Sequence, residues 1–184
     1  MATCGEALVH MLEGYGVDTV FGIPGVQSIS VDPHKYGGAP IPSGYLLTRD
    51  VADLTELRSL SHYHGQADHF GLLGTRPGAA LLATYAALRQ LGKAGFRAAA
   101  AEVFWRRALL LRLLGEAGLP LHFQPDLMVV GVGHPDPVAA QQELERRGLI
   151  VSVSRRFGFI RIVVHLHQTQ AQLARLVQEL AAIS

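Results

Sequence analysis

The sequence predicts an α/β protein whose C-terminal part is a two-layer domain, helices laid on a sheet. Three observations predict it. Between residues 121 and 184, strand-like apolar runs alternate with segments of helical periodicity, in the order strand, helix, strands, helix. Both helical segments carry a start signal, Asp136-Pro137 for one and Thr169 for the other. Hydrophobic residues make up 49% of the 184-residue chain, enough to bury a core and to exclude global disorder.

In chain order, residues 3–13 have helical spacing, with Ala7, Leu8, Met11 and Leu12 toward one side. Gly14 and Gly16 stop that helix, and residues 17–21 read as a short strand ending in Gly-Ile-Pro-Gly. Residues 26–31 read as a second short strand. Residues 33–43 are rich in Gly and Pro and predict a shaped loop, after which residues 44–48 resume an apolar strand pattern. A helix or helical turn is expected from Arg49 to about Leu60, then a polar loop bearing His62, His64 and His69. Pro77 opens a long helical region in which Ala79, Ala80, Ala83, Ala86 and Ala87 permit close packing; Gly92 and Gly95 punctuate it, and a second helix runs to about Leu114. Residues 127–132 predict a strand, Pro137 begins a helix that Gly148 ends, and residues 150–153 and 159–164 predict two more strands. After Thr169, Leu173, Leu176, Val177 and Leu180 form one apolar stripe of a final helix.

Charge narrows the function classes. Sixteen Lys plus Arg stand against fifteen Asp plus Glu, a net charge of +1, so no broad field exists to collect nucleic acid or an anionic membrane. Arg106-Arg107, Arg146-Arg147 and Arg155-Arg156 lie among acids without interleaved aromatics, and their expected role is solvation of helix surfaces and turns. The charged fraction is 17%, below the roughly 25% usual for a soluble domain, so either surface is hidden in an oligomer or part of the fold is missing. The single cysteine, Cys4, excludes an intrachain disulfide and a thiolate metal cluster, and fits a reducing, cytoplasmic compartment. Glu6 and Glu13 interrupt the N-terminus as a signal peptide, and the apolar stretch 108–121 contains Arg112 and Glu116 and is broken by Gly115, Gly118 and Pro120, so no membrane span is expected. No metal is expected either: the loop histidines are loosely spaced, and His165 and His167, alternating onto one face of a strand, are two ligands where a structural site needs four.

The most informative segment is Ser28-Ile29-Ser30-Val31-Asp32-Pro33-His34-Lys35-Tyr36-Gly37-Gly38-Ala39-Pro40. A strand leads into a tight loop that presents Lys35 beside His34. An unprotonated lysine amine is the nucleophile that forms an imine with an aldehyde cofactor, and partial enclosure near a second cation helps keep it reactive. From chemistry alone a lone lysine is more often a solvated surface group. The run Ser-x-Ser-x-Asp-x-His-Lys-Tyr-Gly, followed by Ala-Pro and a return strand ending Leu47-Thr48-Arg49-Asp50, closely resembles the lysine segment of group II pyridoxal-phosphate decarboxylases. It is especially similar to the archaeal-type tyrosine/aspartate decarboxylases and the sphingosine-phosphate lyases. The resemblance implies that Lys35 carries pyridoxal 5'-phosphate and that His34 touches its phosphate.

Two further segments resemble the same branches. Gly74-Thr75-Arg76-Pro77-Gly78-Ala79, continuing through Tyr85 to Phe96, is similar to a loop and helix that lie at the family's dimer interface and complete the partner's cofactor site. This implies a homodimer, cofactor contacts at Gly74 and Thr75, and a substrate contact at Arg76; a hydroxyl and free amides at a helix start suit an anion. Leu149-Ile150-Val151-Ser152 and the strand Ile160-Arg161-Ile162-Val163-Val164-His165-Leu166-His167 resemble the family's closing small domain, with Leu166 where proline is usual. Arg161 is directed either to a substrate carboxylate or to bracing the domain. Tyr63 is the nearest candidate for the tyrosine that supports protonation after decarboxylation. The implied fold is a partial pyridoxal-phosphate fold type I: an incomplete large domain at residues 26–120, followed by a two-layer α/β small domain at 121–184.

Residues 1–25 differ. Gly5-Glu6-Ala7-Leu8-Val9 and Tyr15-Gly16-Val17-Asp18-Thr19-Val20-Phe21-Gly22-Ile23-Pro24-Gly25 resemble the opening of thiamine-diphosphate enzymes of the acetolactate-synthase kind. The next glutamate, Glu56, follows the lysine segment instead of that family's pattern, which places a junction near residues 25–28. In the decarboxylases, the carboxylate that pairs with the cofactor ring and the group that stacks on it lie upstream of the lysine, and that portion has no counterpart here. The expected function is therefore an amino-acid decarboxylase with a small amino-acid substrate, or a truncated remnant of one. The rivals are a noncatalytic folded remnant or interaction module, and a fragment of a thiamine-dependent enzyme.

Overall fold

The structure is a computed structural model describing residues 28–48, 50, 52–53, 55, 58–59, 69–70 and 77–184. The helix and strand expected within residues 1–25 lie outside the described residues, as do Tyr63, Gly74, Thr75 and Arg76. Two compact units divide the chain, Met1–Ala98 and Ala99–Ser184.

In the first unit, strand β1 (Ser28–Val31) pairs antiparallel with β2 (Tyr45–Thr48), Ser28 opposite Thr48 and Val31 opposite Tyr45. Between them stands a single helical turn, α1 (Pro33–Tyr36), begun by a proline whose fixed φ suits the first helical position. The shaped loop expected over residues 33–43 thus includes one helical turn. Two short strands, β3 (Arg58–Ser59) and β4 (His69–Phe70), form a second antiparallel pair. The long helix α2 (Gly78–Glu116) follows Pro77, and within it Gly92 leaves the helical region at φ 55° and ψ −174°. That combination is open essentially to glycine alone, so Gly92 breaks the helix where the sequence placed its punctuation. Gly95 stays helical. Leu88 and Phe96, on α2, form a core with Val31, against which Ile29, Tyr45 and Leu47 pack.

The second unit is the two-layer domain. Strands β5 (Val129–Gly133), β6 (Ser152–Ser154) and β7 (Phe159–Val163) form an antiparallel sheet in the order β5-β7-β6. Leu121 bridges to Val132 along the outer edge of β5. Helix α3 (Pro137–Arg146) starts where Asp136 accepts hydrogen bonds from the amides of Val138 and Ala139. Helix α4 (Gln170–Ala181) starts in a capping box: the Thr169 hydroxyl accepts from the Gln172 amide, and the Gln172 side chain accepts from the Thr169 amide. Leu173, Leu176, Val177 and Leu180 are all buried, the stripe that the periodicity predicts. Val130, Val132, Ile160, Ile162 and Val164, which share one face of the sheet, are buried as well, each at most 3% exposed.

Arg106, Arg107 and Arg147 do more than solvate surfaces, which corrects their expected role. Arg106 donates to the carbonyls of His165 and Leu166, and Arg107 to those of Pro125, Asp126 and Leu127. Arg147 ties Glu143 and Glu179 together at 2.7 Å each, and Arg175 donates to the Arg147 carbonyl. Apart from Glu143, four residues before Arg147, these partners are distant in sequence, so no local pattern announces them.

Candidate functional site

Of the residues singled out for chemistry, His34 and Lys35 stand together at the turn between β1 and β2. Asp32 ends β1 directly after Val31, which is anchored in the core, and the chain then turns through α1. The Lys35 amide donates to the Asp32 carbonyl at 3.0 Å, and the Ala39 amide to the Pro33 carbonyl at 3.2 Å, so backbone bonds hold the turn. Lys35 leaves the turn on its outer side, with its side chain 61% exposed and its Nζ 2.6 Å from Asp32 Oδ2. The described residues leave the Lys35 side chain mostly exposed and do not provide the partial enclosure expected for its amine. The salt-bridged hydrogen bond to Lys35, with the nearby charges of Lys35 and His34, holds the Asp32 carboxyl below the usual carboxylate range.

His34 points the other way. Its Nδ1 donates to the Ser43 carbonyl at 2.6 Å, which commits that nitrogen to carrying a proton and leaves Nε2 for another partner. Ser43 is buried, and among the described residues its hydroxyl has no hydrogen-bond partner. Beside it, Pro42, Gly44 and Tyr45 face Pro77, Gly78, Ala80 and Leu81 across a cavity of about 390 Å³, mostly apolar.

Arg161 belongs to the second unit. It lies exposed on β7, opposite Gly131 of β5 and Ser152 of β6, and the Ser152 hydroxyl donates to its carbonyl at 3.1 Å. His165 and His167 do not share a strand face as expected, because β7 ends at Val163. The Gln168 side chain takes the Val163 carbonyl and the His165 amide, closing a turn in which the two imidazoles stack at 4.5 Å between centroids. Among the described residues, no three His, Cys, Asp or Glu side chains stand together as metal ligands. The feature that sequence reasoning missed is the Asp32–Lys35 pair. Its signal was present, since an acid three residues before a lysine meets it on a helical turn.

No family model matches the chain. Among curated proteins, it is 36% identical over 165 residues to the "Probable L-tyrosine/L-aspartate decarboxylase" of Methanothermobacter thermautotrophicus, covering 89% of this chain and 46% of that protein. The protein of the same name from Methanosarcina barkeri is 34% identical over 188 residues, covering 100% and 46%. The L-aspartate decarboxylase of Thermococcus kodakarensis is 34% identical, covering 93% and 45%. Among solved structures, a sphingosine-1-phosphate lyase of Burkholderia pseudomallei superposes with a TM-score of 0.76 at 26% identity, over 88% of this chain and 38% of that one. Mouse CSAD, at 19% identity and a TM-score of 0.62 over 86% and 39%, shares the fold. None of these is named as a thiamine enzyme, and the Methanosarcina barkeri alignment takes in the whole chain, so the thiamine resemblance of residues 1–25 finds no support. The chain spans a little under half the length of the curated relatives it matches. By sequence, and by a fold shared with pyridoxal-phosphate fold type I enzymes, the chain belongs to the group II pyridoxal-phosphate-dependent decarboxylase family.

Proposed function

We propose that this chain carries the lysine-bearing and closing parts of a pyridoxal-phosphate-dependent amino-acid decarboxylase, a carboxy-lyase with a small amino-acid substrate. The observation that carries the reading is the hairpin turn, which presents the Lys35 amine at the surface while the Ser43 carbonyl fixes the adjacent His34 ring. Those residues fit the aldehyde end of the cofactor: a primary amine is accessible, and an imidazole nitrogen beside it is uncommitted. Lys35 would hold the cofactor covalently, with His34, Gly74 and Thr75 toward its phosphate. Arg76 and Arg161 would bind and orient the substrate carboxylate, and Tyr63 would return a proton to the carbon that loses carbon dioxide. When bound, the cofactor supplies a protonated ring that takes up the electron pair left on that carbon.

In this reading residues 26–120 are part of a large domain, residues 121–184 are the small domain, and the protein works as a cytoplasmic homodimer. The names of its relatives put L-tyrosine and L-aspartate first among substrates to try.

A second reading, a noncatalytic remnant or interaction module, is favoured by the exposure of Lys35. Incubation with pyridoxal phosphate, borohydride reduction, removal of free cofactor and peptide mapping separates the two. Stoichiometric label on Lys35 that is absent from Lys35→Ala supports the decarboxylase reading. Label that is absent, or equal in both proteins, favours the remnant.

A further inference from the structure

The chain has two lysines, Lys35 and Lys93, and the structure places a carboxylate hard against the one that the proposed chemistry needs. Asp32 is not spent on helix capping: it precedes α1, but its side chain accepts no hydrogen bond from that turn's amides. Oδ2 instead meets Lys35 Nζ at 2.6 Å, and Oδ1 lies against Gly44, where a Cβ would stand only 3.2 Å away. The carboxylate is the fixed end of this pair. Its backbone follows core residue Val31, and its side chain is 34% exposed against 61% for the lysine.

We propose that Asp32 is a positioning residue for Lys35: it holds the side chain folded back over the α1 turn, and this pairing is released before the amine attacks a carbonyl. The assignment rests on the decarboxylase reading only in naming the carbonyl that Lys35 would meet. An ammonium has no lone pair, so attack requires loss of one proton to solvent and departure of Nζ from Oδ2. The lone pair then adds to the carbonyl carbon, and the oxygen leaves as water with the two protons remaining on nitrogen. Asp32 therefore acts as a brake on Lys35 in the cofactor-free chain, one that ionic strength relaxes because an exposed pair is screened by salt.

The test uses acetaldehyde, a neutral carbonyl whose approach is insensitive to charge, with cyanoborohydride supplying hydride to the carbon–nitrogen double bond. Peptide mass spectrometry reads the labelling of Lys35 relative to Lys93, the internal control. Asp32→Asn is expected to raise the Lys35:Lys93 ratio about two- to five-fold, the range that an exposed ion pair commands. Asp32→Glu is expected to keep the wild-type ratio. Raising the salt toward about 1 M, where the screening length is about 3 Å, should narrow the difference between wild type and Asp32→Asn measured at the same salt. Equal, salt-independent ratios in wild type and Asp32→Asn overturn the proposal. If Asp32→Asn does not fold, Asp32→Ser takes its place: a ratio above that of wild type supports the brake and an equal one removes it. Pyridoxal phosphate retention, measured separately on wild type, decides the decarboxylase reading whichever way the acetaldehyde ratio falls.

Discussion

At position 131 the sheet has room for hydrogen and nothing larger. A Cβ there would collide with the ring of Phe123 and stand 3.1 Å from Phe159 Cδ2. Those rings hold each other edge to face at 5.5 Å, and His122 stacks on Phe159 at 4.6 Å, so neither phenyl can move without breaking the cluster. Gly131→Ala is therefore expected to destabilise the protein by about 1–3 kcal/mol, the usual cost of overpacking, as a lower urea midpoint. Combining it with Phe123→Ala should recover part of that loss. Strict additivity of the two changes would show that the ring is not the obstacle. The same scale explains why Lys35 was legible and its setting was not. The Asp-x-His-Lys run names the residue, but whether its amine is enclosed depends on chain that packs around the turn, which no local pattern states.

At the scale of elements, the clearest predictions were those with a cap. Asp136-Pro137 and Thr169 each satisfy amides that a helix start otherwise leaves unpaired, so the boundary is written in the side chain that closes it. Thr169→Ala should cost about 1 kcal/mol, seen as a shift in thermal or chemical midpoint, while Thr169→Ser should cost much less. A midpoint unchanged in the alanine variant would mean that the capping box contributes nothing. Strand ends were harder to read. Alternation through residues 160–167 continues past the point where pairing stops, because a turn held by the Gln168 amide interrupts the ladder after Val163 without interrupting the pattern. Arg106 and Arg107 were misread for a related reason: their charge suggested solvent, and their carbonyl partners lie 18 to 60 residues away.

At the scale of the whole molecule, the chain holds a hairpin unit built on α2 and a two-layer unit whose helices are joined by charge. Hydrogen bonding from Arg147, with the charges of Arg146 and Arg147, holds the Glu143 carboxyl below the usual range, and Glu179 and Glu143 hold the Arg147 guanidinium above its own. A carboxyl with a depressed folded-state pKa binds its proton more readily when unfolded. Its contribution is complete above the unfolded value, about 4.3, and is lost as the pH falls through the lower folded value. Denaturant unfolding followed from neutral pH down to about pH 3 should show stability declining in that window, with a shallower decline in Glu143→Gln. Equal slopes in the two proteins would assign the acid sensitivity to other groups.

The strand order β5-β7-β6 also decides how this unit behaves toward other chains. Central β7 has neighbours on both sides, and the outer edge of β5 is taken by Leu121, His122 and Pro120, through the Leu121–Val132 bridge and the bonds His122 N to Gly131 O and Gly133 N to Pro120 O. Within this three-stranded sheet and among the described residues, β6 alone presents an edge on which no strand is paired, and it is only Ser152–Ser154, two serines around one valine. So short and polar a rim is a poor template for a foreign strand, which guards the domain against growing into a fibre.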